Sequence, residues 1–131
     1  MKKILILLLL IVPLLGNAQY WYRADAMRFK FGNNLEEWEK CNLRVFIDKD
    51  LNVKIFSLEK TINVRSVNDD YTLKEDNKGN SRLSWVCVDD EGEKCMSILT
   101  SDKNVTFIHL GIHFPSQNFA VFYNLKPERP D

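Results

Sequence analysis

Apolar residues recur at every second position through much of the chain beyond Tyr22. Leu43, Val45 and Ile47 alternate with Asn42, Arg44 and Phe46; Val53 and Ile55 with Asn52 and Lys54; Ile62 and Val64 with Asn63 and Arg65. A period of two puts alternate side chains on opposite faces of an extended strand and marks half-buried β-strands. Between these runs stand Asp48-Lys49-Asp50, Asn68-Asp69-Asp70, Asp76-Asn77-Lys78-Gly79-Asn80, Asp89-Asp90-Glu91-Gly92 and Ser101-Asp102-Lys103-Asn104. Such groups hydrogen-bond their own backbone and punctuate the chain with turns. The pattern predicts strands at about 23–31, 41–47, 52–58, 61–67, 71–75, 82–89, 94–100, 104–111 and 118–125. Only Leu35-Glu36-Glu37-Trp38-Glu39-Lys40 has the makings of a helical turn.

Short strands at this spacing predict an all-β protein. Sequential hairpins imply an antiparallel up-and-down meander of about eight or nine strands. Such a sheet removes its edges by closing into a small barrel, and a two-sheet sandwich is the alternative. The order of strands is similar to that of lipocalin-like barrels. The likeness is architectural, because the Gly-x-Trp motif of lipocalins is absent near the first strand.

The amino terminus breaks the alternation. Met1-Lys2-Lys3 is a short basic segment, Ile4 to Leu15 is an apolar run interrupted by Pro13, and Gly16-Asn17-Ala18 puts small residues at the −3 and −1 positions of a cleavage site. This is the pattern of a secretory signal peptide at residues 1–18, with the mature chain beginning at Gln19 and exported to a periplasmic or extracellular location. The apolar run is shorter than the ~20 residues that span a bilayer. A single all-β domain is expected over residues 19–125, followed by a mobile polar tail at 126–131.

Removing the leader changes the charge. The full chain has 18 basic and 18 acidic residues; losing Lys2 and Lys3 leaves 113 residues with a formal charge of −2. A slightly acidic chain with no basic run lacks the sequence footprint of a nucleic-acid binder. It also lacks the polybasic cluster of a binder of anionic membranes. Neither a nucleic-acid partner nor stable membrane insertion after signal removal is expected.

Three cysteines, Cys41, Cys87 and Cys95, are an odd number for an exported protein. A type I turn over Asp89–Gly92, with Gly92 in the left-handed bulge position, pairs Asp89 with Glu93 and therefore sets Cys87 opposite Cys95. Opposed Cβ atoms ~4.5–5.5 Å apart are close to disulfide geometry, so a Cys87–Cys95 bond is expected. Cys41 then stays a free, poorly reactive thiol on the face of Leu43, Val45 and Ile47.

No catalytic or metal centre is expected, and no cofactor. The segment from Asp48 to Glu59 imitates part of an EF-hand calcium loop, but Val53 stands where the loop needs glycine, so a hairpin turn is the expectation. His109 and His113, four apart on a strand, are ~13 Å apart and cannot share a zinc ion. There is no nucleophile elbow and no glycine-rich phosphate loop.

Aromatic residues open and close the mature chain: Tyr20, Trp21, Tyr22, Phe29 and Phe31, then Phe107, Phe114, Phe119, Phe122 and Tyr123. In a meander barrel the first and last strands are neighbours, so the two groups would meet at the closing seam. Trp21, Tyr22, Phe119 and Phe122 are the expected partner or ligand contacts. The expected function is noncatalytic recognition of a protein or envelope component; the rival is a carrier holding a small apolar ligand inside the barrel.

Overall fold

The computed structural model describes residues 20–104 and 106–128. Among them are nine strands: β1 (Tyr20–Phe31), β2 (Asn34–Leu35), β3 (Glu39–Ile47), β4 (Val53–Phe56), β5 (Thr61–Glu75), β6 (Ser81–Asp89), β7 (Lys94–Ser101), β8 (Ile108–Phe114) and β9 (Phe119–Pro127). Every pairing is antiparallel. The order β1-β3-β4-β5-β6-β7-β8-β9 closes on itself because β1 also pairs with β9, from Tyr22↔Pro127 to Phe31↔Phe119. The result is a closed eight-stranded barrel rather than a sandwich. The two-residue β2 pairs only with the end of β1.

The alternation in the sequence becomes an inner and an outer wall. Tyr22, Val45, Ile47, Val53, Ile55, Val64, Leu83, Trp85, Leu99, Leu110, Ile112, Tyr123 and Leu125 belong to one continuous buried cluster. Eight strands enclose an interior about wide enough for side chains alone. Branched aliphatics with Tyr22 and Trp85 occupy it here.

Three turns share one device. The Asp48 carboxylate accepts the N–H groups of Asp50 and Asn52, both at 2.9 Å, and the Asn52 side-chain amide at 3.0 Å. Asp76 does the same for Lys78 and Asn80, and Asp89 for the N–H groups of Glu91 and Glu93. The fourth residue of each turn is left-handed: Leu51 at φ 66°, Gly79 at φ 87° and Gly92 at φ 81°. The expected Asp89–Gly92 turn is thus present, with Gly92 N–H donating to Asp89 O and Cys87 opposite Cys95.

Other sequence expectations need correction. The strands expected at 61–67 and 71–75 are one strand, β5. Asn68-Asp69-Asp70 does not reverse the chain, because β6 has only Val86 between Cys87 and Trp85 where β5 has four residues between Ser66 and Tyr71. The surplus is absorbed as a bulge. Leu35–Lys40 forms no helical turn, since Asn34 and Leu35 pair back on β1 and β3 starts at Glu39. The strand expected from 104 starts at Ile108, because the Asp102 carboxylate accepts the Thr106 N–H and hydroxyl and holds that stretch as a loop. The last strand runs through Lys126 and Pro127 instead of ending at 125, and Glu128 N–H donates to Trp21 O at 3.0 Å. The signal segment 1–18, the expected start at Gln19 and the tail residues 129–131 lie outside the described residues.

Candidate functional site

Neighbouring strands bring outward side chains into rows on the side of the barrel formed by β1, β9, β8, β7 and β6. One row runs Arg28, Phe122, Gly111, Ile98 and Ser84; the next runs Lys30, Ala120, His113, Met96 and Val86; a third includes Asn124, His109, Thr100 and Arg82. Met96 and Val86 are exposed, and Ile98 and Phe122 are half-buried. The wall therefore mixes apolar surface with Arg28, Lys30, Arg82 and two histidines.

Phe122 lies over Gly111. A Cβ built on Gly111 would come within 3.0 Å of the Phe122 ring, so the glycine makes the seat for that ring. His113 meets Phe122 edge-on at 5.3 Å between ring centres. Trp38, from the segment after β2, reaches this wall as well: its ring stands 5.5 Å from His109 and 4.6 Å from the Arg28 guanidinium. Phe107 adds a second tilted contact, 4.8 Å from His109. Arg28 is held over an indole, an arrangement in which the cation is attracted to the ring face. Among the described residues its Nε–H is buried and has no acceptor.

The local field follows from these contacts. Burial, and then the Arg28 charge, holds the His109 imidazole below its usual pKa, against a hydrogen bond with Asn124. Burial, then Lys30 and Arg82, does the same to His113. Burial first, and the neighbouring cations second, thus disfavour the charged form of both histidines. Asp25, beside it, bonds Lys126 at 2.9 Å and accepts from Asn124 at 2.8 Å. The Lys126 contact lowers its pKa.

The four expected contact residues are not brought together. Tyr22 is fully enclosed in the barrel, so it belongs to the core and not to a contact surface. The period-two pattern places Trp21 and Tyr22 on opposite walls. Trp21 is on the outer wall but in a separate cluster, 4.7 Å from Phe46 and stacked on Phe56 at 5.7 Å, with the Arg44 guanidinium 4.5 Å above it. Arg44 in turn pairs with Glu128 at 3.3 Å, so this second cluster has its cation satisfied. Phe119 lies at one rim of the barrel with Phe29, Phe31 and Phe114, at 5.1 to 6.0 Å between rings. Only Phe122 sits on the wall of Arg28. The sequence reading missed Arg28, Trp38 and Met96, none of which is near Phe122 in the chain.

Cys87 and Cys95 face inward, with their sulfurs 3.0 Å apart and unbonded. Ser97 Oγ stands 3.2 Å from Cys87 Sγ. Cys41 Sγ donates to Ala24 O at 3.4 Å, and burial followed by the Asp25 charge raises its pKa. At the barrel end bearing the β5–β6 and β7–β8 loops, an open crevice of about 410 Å³ is lined by residues including Asp76, Lys78, Lys103 and Asp102. Both of its aspartates are engaged by their own loops. No protein-family model, curated protein or solved structure matches this chain.

Proposed function

We propose that the protein is an exported, noncatalytic recognition module whose contact surface is the outer wall built on Phe122, Arg28 and Trp38. The observation that carries this reading is Arg28: its guanidinium stands 4.6 Å from the Trp38 ring centre, and its buried Nε–H has no acceptor among the described residues. An unmade hydrogen bond of a buried charged donor costs free energy until an acceptor arrives. The Arg28 side chain as a whole is only half-buried, so a partner carboxylate would pair with the accessible part of the guanidinium. The adjacent Phe122, Met96 and Val86 would bury an aromatic or aliphatic side chain. Aromatic and arginine anchors of this kind concentrate binding energy in interfaces. The partner is therefore a protein segment carrying acidic and apolar residues. The bulky side chains clustered inside the barrel support this reading over the apolar-ligand carrier.

A fluorescently labelled peptide alternating glutamate and phenylalanine is the probe. Its anisotropy should rise with added protein, fall back with salt, and lose most of its response in Arg28→Glu and Phe122→Asp variants that keep their far-ultraviolet spectrum. Binding indifferent to both substitutions would reject the site. So would preferential binding of a single-stranded oligonucleotide or of phosphatidylglycerol vesicles. A stoichiometric apolar ligand, retained in native mass spectrometry of protein from its source, would establish the carrier instead.

A further inference from the structure

We propose that Cys87 and Cys95 are a built-in disulfide-forming pair, closing a covalent link between β6 and β7 on the inner wall of the barrel by thiol–disulfide exchange. The link is independent of what the outer wall binds. Its basis is geometric. The Asp89 turn fixes the register from both sides, through Asp89 N–H to Glu93 O at 3.0 Å and Gly92 N–H to Asp89 O at 3.1 Å, so Cys87 cannot slide past Cys95. The sulfurs are already 3.0 Å apart, and a disulfide of ~2.05 Å requires an approach of only about 1 Å. Both side chains are buried in the same cluster, whereas the third thiol, Cys41, is on β3 and bonded to Ala24 O. Alternative pairings would have to pull Cys41 out of that contact.

The pair is also chemically unequal. Hydrogen bonds from the Cys95 thiol and Ser97 favour the thiolate of Cys87, while the bond to Cys87 and then burial push Cys95 up. The oxidant is a low-molecular-weight disulfide. The Cys87 thiolate attacks one of its sulfurs, forming a mixed disulfide and releasing one thiolate. Cys95 then gives up its proton to solvent and attacks Cys87 Sγ, releasing the second thiolate. Two cysteine thiols are oxidised and one external disulfide is reduced to two thiols. Because both sulfurs are enclosed in the folded barrel, exchange must occur before closure or through opening of the wall. Oxidation is therefore expected to be fast during refolding and slow in the native reduced protein.

The test uses the full chain, unfolded and reduced, then refolded with glutathione disulfide in excess over glutathione, alkylated after denaturation and mapped without reduction. The expected result is loss of two hydrogens, a single cross-linked peptide pair carrying Cys87 and Cys95, and alkylation of Cys41 only. Cys41→Ser should form the same link. Three alkylated cysteines, a glutathione adduct persisting on Cys87 or Cys95, or any link involving Cys41 would overturn the proposal. So would native reduced protein that oxidises as fast as the unfolded chain.

Discussion

The inner and outer walls are made by alternate residues of the same strands, yet they follow different rules. On β9, Val121, Tyr123 and Leu125 point inward and are almost fully buried, while Phe122, Asn124 and Lys126 point outward and are half-buried or exposed. Inside, each side chain is held by neighbours from several strands, and burial of the Tyr123 phenol pushes its pKa up to about 12. Outside, arginine guanidinium groups and rings meet in tilted and edge-on contacts on a half-exposed surface. The inner wall thus carries most of the burial, while the outer wall keeps half-exposed rings and cations.

Substitutions that respect this division should differ in size. Leu110, fully enclosed on β8, is the largest case: Leu110→Ala should cost about 2–5 kcal/mol in urea unfolding, because the lost contacts leave a cavity. A cost under 1 kcal/mol would mean that the interior collapses easily and is not rigidly filled. Gly111→Ala, the next residue on the same strand, should cost only about 1 kcal/mol. Its new Cβ meets the Phe122 ring at 3.0 Å, and that ring can swing toward solvent. The same variant should weaken peptide capture, since the ring leaves its seat. Phe122→Asp removes a half-buried ring and puts a poor strand former into β9, so it should cost a similar amount, about 1 kcal/mol, while abolishing most of the capture.

The smallest effect is electrostatic. Both histidine pKa values are lowered on folding, so the unfolded chain takes up protons that the native wall refuses. Stability should be full above the ordinary histidine value of about 6.5, fall as pH drops through it, and level off below the folded values. Asp25, Asp76 and Asp102 also have lowered pKa values, but their losses fall below about pH 4, in a separate window. Urea midpoints between pH 8 and 5 should show the histidine slope, and a His109→Gln/His113→Gln double variant should flatten it. An unchanged slope would remove the outer wall from the cause.

The strands and their meander order were legible because alternation and turn chemistry are local. Barrel and sandwich stayed open because closure rests on the distant pairing of β1 with β9. Asp89, Glu91 and Gly92 state their turn within five residues, and the register of Cys87 against Cys95 follows from counting outward. The surplus in β5 was not legible, because Asn68-Asp69-Asp70 reads as a turn unless the shorter partner strand is known. The outer site was hidden for a related reason. Arg28, Trp38, His109 and Phe122 are scattered in the chain and become neighbours only through the pairing of β1 with β9 and of β9 with β8. A chain with no basic run can therefore still build a cationic wall. Trp38 was read as part of a helical turn, and its role emerges only when the stretch after β2 folds back over Arg28.

The pairing of the first strand with the last also has a consequence in time. The hydrogen bond between Asn124 and Asp25 joins residues 99 apart in sequence, and the Trp21–Glu128 bond joins the two ends of the described barrel. Loop closure over such a span must precede any reward from the seam, which slows folding. Hairpins such as β6–β7 can form while the chain is still being made, but β1 keeps one edge without its final neighbour until Pro127 arrives. During that interval the unpaired edge can accept a strand from another molecule. A chaperone that shields extended segments, or rapid synthesis of the last dozen residues, would matter more to this protein than its final stability suggests.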